Sequence, residues 1–149
     1  MSAMKKKLPN SLLIPEVAEL IRGGHSVTLT ARGNSMNPFI VDYRDRLVLS
    51  PCSEDQLHPG AVVLAETDNN RYVLHRILYR QGDKLTLLGD GNFNQTEQTD
   101  TKHVIGILTA VIRKGRTFYT DSYIWIFYSR WWMKLRPVRR ILLAIYRRM

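Results

Sequence analysis

Between Ser26 and Tyr119, apolar residues recur at every second position in one short run after another. That spacing limits the fold more than any other property of the chain. Ser26-Val27-Thr28-Leu29-Thr30-Ala31-Arg32 puts Val27, Leu29 and Ala31 on one face of a strand. Residues 46–49, 61–65, 71–79, 84–88, 104–113 and 116–119 give further strand segments. Turn formers separate them: Asn69-Asn70, Gln81-Gly82-Asp83, Gly89-Asp90-Gly91-Asn92 and Lys114-Gly115. Short strands at this spacing predict a mainly β fold, a barrel or sandwich, and exclude an α/β architecture. A chain of 149 residues holds one such core with appendages. We divide it into an N-terminal helical segment (1–25), a β core (26–120) and a basic aromatic tail (121–149). Residues 15–22 read as a short amphipathic helix, with Pro15 at its first position and Gly23-Gly24 as its stop.

The formal charge of +9 is unevenly spread. Residues 1–122 carry 15 Lys/Arg against all 13 acids, whereas residues 123–149 carry 7 Lys/Arg and no acid. The tail also holds all three Trp and seven of the fourteen aromatics, so basicity describes the tail and not the core. The basic start, Met1 to Lys7, lacks the continuous apolar stretch of an export signal, because Pro9, Asn10, Pro15, Glu16 and Glu19 interrupt it. No run of about 20 apolar residues predicts a conventional transmembrane helix. The single Cys52, in a loop beside Pro51, rules out an internal disulfide and has no activating neighbour. His25, His58 and His103 have no metal-ligand spacing, so neither a metal nor a cofactor is expected.

Three stretches can carry chemistry. Gly33-Asn34-Ser35-Met36-Asn37-Pro38 follows one strand and precedes another. A hydroxyl on such a constrained turn has a preset direction of attack, as a nucleophile requires. The same residues also make an ordinary turn whose serine satisfies nearby backbone. In Arg71-Tyr72-Val73-Leu74-His75-Arg76-Ile77-Leu78, alternation puts His75 on one face with Val73 and Ile77. It is there either a general base kept neutral by burial or a core histidine with satisfied nitrogens. Leu88-Gly89-Asp90-Gly91-Asn92 is a turn at a strand end, where an acid can also orient a histidine.

The order of these pieces resembles the type I signal peptidases and the related SOS-repressor autoproteases. The sequence runs Gly-x-Ser-Met-x-Pro, then Pro59-Gly60 before an apolar strand, then Val-Leu-His-Arg, then Gly-Asp-x-Asn with a later Asp. It is most similar to the archaeal and endoplasmic-reticulum branch, where histidine replaces the bacterial lysine, and the resemblance spans residues 27–113. It implies a signal-peptidase-like β core and a serine endopeptidase cleaving a leader or precursor peptide, with no cofactor. By the same resemblance Ser35 is the nucleophile and His75 the base. Asp100 is the first candidate for the acid that orients His75, and Asp90 the second. Gly33, Asn34, Met36 and Pro38 would shape the cleft and the oxyanion site. Many relatives carry a donor serine where Gly33 stands, so the backbone N–H of Ser35 needs a second donor from elsewhere. A lysine base is rejected: the cations around His75 are Arg71, Arg76 and Arg80, and arginine does not deprotonate.

Signal peptidases usually carry an N-terminal membrane span, which this sequence lacks, and the tail is the expected substitute. Trp131, Trp132, Leu135, Val138, Ile141, Leu142 and Ile145 fall at helical spacing with arginines largely between them. That pattern suits a helix in the headgroup layer of an anionic membrane, attached peripherally from the cytoplasmic side. The competing readings are packing of the stripe on the core of a soluble cytoplasmic protein, and nucleic-acid binding, the weakest. On them rests the alternative function, a non-catalytic binding module on the same fold. An autoproteolytic repressor is set aside because the 34 residues before Ser35 are too few for a helix-turn-helix.

Overall fold

The computed structural model describes residues 10–30, 36, 40, 44–91 and 96–148. Among the described residues, helix α1 (Asn10–Arg22) is followed by eight strands: β1 (Val27–Thr30), β2 (Asp45–Ser50), β3 (Val62–Glu66), β4 (Tyr72–Gln81), β5 (Lys84–Leu88), β6 (Glu97–Asp100), β7 (Val104–Arg113) and β8 (Arg116–Tyr119). Helices α2 (Tyr123–Lys134) and α3 (Arg139–Arg148) close the chain. All strands pair antiparallel in one sheet of order β1-β2-β7-β3-β4-β5-β6, and β8 pairs the far half of β7. Register shifts at Val48/Leu49, Leu64/Ala65 and Ile77/Tyr79 bend the strands and curl the sheet into a half-barrel. The mainly β fold with a helix at each end of the chain is as the alternation predicts.

Alternation along the strands divides the core in two. Val27, Leu29, Leu47, Leu49, Val62, Leu64, Leu108 and Val111 face α1 and Trp125. Val63, Ala65, Val73, Ile77, Leu85, Leu87 and Ile107 gather on the other face with Leu57. Helix α1 buries Val17, Ala18 and Ile21, one helical stripe. It comes so close to β7 that a Cβ on Gly106 would lie 3.0 Å from Ile21 Cδ1 and from the Ser50 carbonyl oxygen.

Two local expectations are corrected. Helix α1 begins at Asn10, so Pro15 lies inside it rather than at its first position. Only one intrahelical hydrogen bond is forgone there, since Pro15 has no N–H for the Ser11 carbonyl. Strand β6 falls where the alternation gives no strand segment. Its sequence, Glu-Gln-Thr-Asp, has no apolar alternation. It is held by backbone pairing with β5, by Thr99 Oγ1–H donating to the Glu66 carbonyl at 2.6 Å, and by Arg71 Nη1 at 3.1 Å from Glu97.

The tail is not one stripe. The Ser122 hydroxyl caps α2 by accepting from Trp125 N–H at 3.3 Å. A short 3₁₀ turn, Arg136–Val138, then breaks the path at Pro137. Trp125, Ser129 and Trp132 of α2 and Arg139 and Leu143 of α3 turn inward. Trp131, Val138, Ile141 and Ile145, from the same sequence stripe, are exposed.

Candidate active site

Gly33, Asn34, Ser35 and Pro38 lie outside the described residues, so the site is built from the parts that surround them. Strand β4 supplies the first. His75 pairs across the ladder with Val63 and shares that face with Val73 and Ile77. It is 5% exposed, and Nδ1 has no hydrogen-bond partner among the described residues. Burial in this apolar surround lowers the His75 pKa to about 4; the Asp90 carboxylate works against that shift and the Arg71 guanidinium adds to it. The ring is therefore neutral at pH 7, the form in which an imidazole can accept a proton.

The next residue points to the opposite face, as period two requires. There Arg76 Nε and Nη2 donate to the two oxygens of Asp90 at 2.8 and 2.6 Å, and both side chains are almost fully buried. Arg76 Nη1 also donates to the Gly60 carbonyl at 3.0 Å. Gly60 holds φ at +100°, a conformation that favours glycine, where the turn enters β3. Asp90 lies just past β5, two residues beyond the Leu88–Arg76 pairing. Its N–H donates to Met36 Sδ at 3.4 Å, and its carbonyl accepts from Trp132 Nε1–H at 3.1 Å. Met36 is buried and its carbonyl accepts from Ile40 N–H at 3.0 Å.

One buried knot thus joins all four pieces of the motif: Met36, next to Ser35; Gly60; Arg76, next to His75; and Asp90. Low dielectric strengthens the Arg76–Asp90 attraction, and both partners' remaining groups are bonded, as a buried ion pair needs. The knot ties Met36, through Asp90 and Arg76, to the strand that carries His75.

Asp100 is not part of it. Its Oδ1 accepts from Lys102 N–H at 3.0 Å and lies 3.4 Å from His103 Nδ1. Asp100 pairs with Lys84, which pairs with Gln81, six residues along β4 from His75 and so about 20 Å away in an extended strand. The structure does not bring Asp100, the first candidate for the orienting acid, to His75. Asp90 is near enough to act on His75 electrostatically, but its carboxylate is taken up by Arg76.

Residues 4–112 match the Peptidase S24-like family. The chain belongs to that family. The match covers α1 and nearly the whole sheet, and it stops at the end of β7, before α2 and α3. No curated protein matches the chain. Membership places this Peptidase S24-like protein in the superfamily shared by the LexA-type repressors and the signal peptidases, and gives it a peptidase-type function.

Three further residues contribute to the site of this Peptidase S24-like protein: Arg76, present in sequence only as the end of the Val-Leu-His-Arg run, and Trp132 and Arg139 of the tail. Arg76 was legible in principle, because alternation opposes its face to that of His75, but nothing local names its partner. Trp132 reaches Asp90 from 42 residues away, and Arg139 Nη2 donates to the Trp132 carbonyl at 3.0 Å. Cys52 is half-buried, and burial raises its thiol pKa, which suits an unreactive residue.

Proposed function

We propose that the protein is a serine endopeptidase of the Ser-His kind, with Ser35 as nucleophile and His75 as general base, cleaving a leader or precursor peptide. The observation that carries this reading is the neutral, buried His75, whose Nδ1 has no hydrogen-bond partner among the described residues. The buried knot supports it by anchoring Met36, the residue after Ser35, near the same strand. The cations of β4 also favour histidine over lysine as the base: Arg76 and Arg80 are arginines, a residue type that does not serve as a base, and Lys84 lies beyond the β4–β5 turn.

In this reaction His75 takes the Ser35 hydroxyl proton as Oγ bonds to the scissile carbonyl carbon. The Ser35 backbone N–H donates to the oxygen that becomes negative. Collapse breaks the C–N bond, and His75 returns the proton to the leaving amine. Water, deprotonated by the same imidazole, then attacks the acyl ester and releases Ser35. Asp90 acts as a positioning residue, holding Arg76 and Met36.

Peripheral attachment to an anionic membrane from the cytoplasmic side, through residues 123–149, belongs to the same proposal. The acid-free charge of that segment supports it, and no described helix is long and apolar enough to cross a bilayer.

The catalytic reading is tested by exposing a peptide library to the wild-type, Ser35→Ala and His75→Ala chains and reading cleavage by mass spectrometry. Cleavage by the wild type alone is expected. Undiminished cleavage by both variants would sink the reading, and no cleavage by any chain would favour the binding module.

A further inference from the structure

Helix α2 is apolar on two sides. Trp125, Ser129 and Trp132, spaced i, i+4, i+7, face the sheet. The other side carries Tyr123 (93% exposed), Ile124, Phe127 (57%), Tyr128 and Trp131 (51%). Phe127 stacks edge-on against both Tyr128 and Trp131, at ring-centre separations of 5.9 and 6.1 Å, so these side chains form one continuous surface. Exposed Arg130 and Lys134, one turn apart, run beside it. Helix α3 repeats the plan: Arg139 and Leu143 turn inward, while Ile141 and Ile145 are exposed between Arg140 and Arg148.

A surface helix of a water-soluble domain ordinarily has one apolar stripe, and that stripe is already used on the sheet. A second contiguous apolar face marks a place where something else docks. We infer that the outward face of α2, together with Ile141 and Ile145 of α3, is inserted in the interfacial layer of an anionic lipid bilayer; this rests on the peripheral attachment proposed above and names the side chains that make it.

Three observations select lipid as the occupant. Residues 123–149 hold no acid, and six of their seven cations, all except the buried Arg139, are outside the core and complement an anionic surface. The exposed residues include the aliphatic Ile124, Ile141 and Ile145, which hydrocarbon covers and which phosphates and bases do not. They also include Tyr123, Tyr128 and Trp131, whose amphipathic rings suit the headgroup boundary. Helix α2, 12 residues long, spans about 18 Å, so it lies in the plane of the membrane and does not cross it. Because Trp132 on the inward side bonds Asp90, the Arg76–Asp90 knot lies about one helix diameter, about 10 Å, behind the docking face.

The test is co-sedimentation of the full chain, as wild type and as Ser35→Ala so that catalysis plays no part, with phosphatidylcholine vesicles and with vesicles containing phosphatidylglycerol. Both chains are expected to bind the anionic vesicles. Binding should fall about tenfold or more in the triple variant Ile124→Ser, Phe127→Ser, Trp131→Ser. It should fall about fivefold for each of Arg130→Gln, Lys134→Gln and Arg140→Gln. Brominated lipid should quench wild-type fluorescence and lose most of that effect on Trp131→Phe, which leaves the inward tryptophans in place. A wild type that ignores anionic vesicles overturns both the attachment and the face. Equal binding by the triple variant, folded by circular dichroism, overturns the face alone. Oligonucleotide binding or self-association lost in the triple variant, without vesicle binding, assigns the surface to another occupant and overturns the inference. The peptide-library result stands or falls separately from all of these.

Discussion

The titration of His75 gives the sharpest energetic prediction. The imidazole has an ordinary pKa of 6.5 when the chain is unfolded and about 4 when buried in β4. Above pH 6.5 it is neutral in both states and contributes no pH dependence. As pH falls below 6.5 the unfolded chain binds a proton that the folded chain does not, so folding weakens with acid until the folded pKa is passed. At about 1.4 kcal/mol per pH unit, the gap amounts to about 3 kcal/mol in full, and about 2 kcal/mol has been lost by pH 5. The assay is denaturant unfolding of wild type and His75→Gln between about pH 7.5 and 5. The difference between the two curves removes the carboxylates, which titrate in both. Wild type should lose about 2 kcal/mol more than the variant over that range. The histidine Cε1–H resonance absent from His75→Gln should stay unshifted over the same range. Parallel stability curves, with that resonance moving near pH 6.5, would refute the burial argument and leave His75 an ordinary solvated histidine.

Asp90→Asn breaks the buried ion pair while leaving Arg76 charged, and removes the acid that also balances Arg139. A loss of about 3–5 kcal/mol is expected, seen as a melting temperature lowered by about 10 °C. Gly106→Ala brings a methyl group to 3.0 Å from Ile21 and from the Ser50 carbonyl, so a loss of about 1–3 kcal/mol in chemical denaturation is expected. Ser129 Oγ is buried on α2 with no partner among the described residues. Ser129→Ala should therefore leave stability unchanged or raise it by up to about 1 kcal/mol, in the same assay.

Much of the sheet was legible because alternation and turn chemistry are local. Strands β5, β7 and β8 run as the pattern has them, and Gly82-Asp83 and Lys114-Gly115 make the turns beside them. Strand β6 was not legible, because Glu97 and Thr99 are buried by partners brought from Arg71 and Glu66, and no period in Glu-Gln-Thr-Asp announces that. Motif order brought forward Asp90 and Asp100 alike. Only strand register separates them, placing Asp90 beside Arg76 and Asp100 at the other end of β4. The tail was half legible: helical spacing is plain in sequence, but a linear pattern does not distinguish one wide apolar stripe from two opposed ones. The structure makes that division, sending Trp132 inward and leaving Trp131 outside.

The central claim is that Ser35 and His75 act as one unit on a peptide bond. It is tested most directly by kcat/KM for a cleaved peptide in the wild-type, Ser35→Ala, His75→Ala and doubly substituted chains. Groups that share one step lose their function together, so each single variant should fall by about 10³-fold or more and the double variant no further. Losses that multiply, or a His75→Ala chain that cleaves at the wild-type rate, would contradict it.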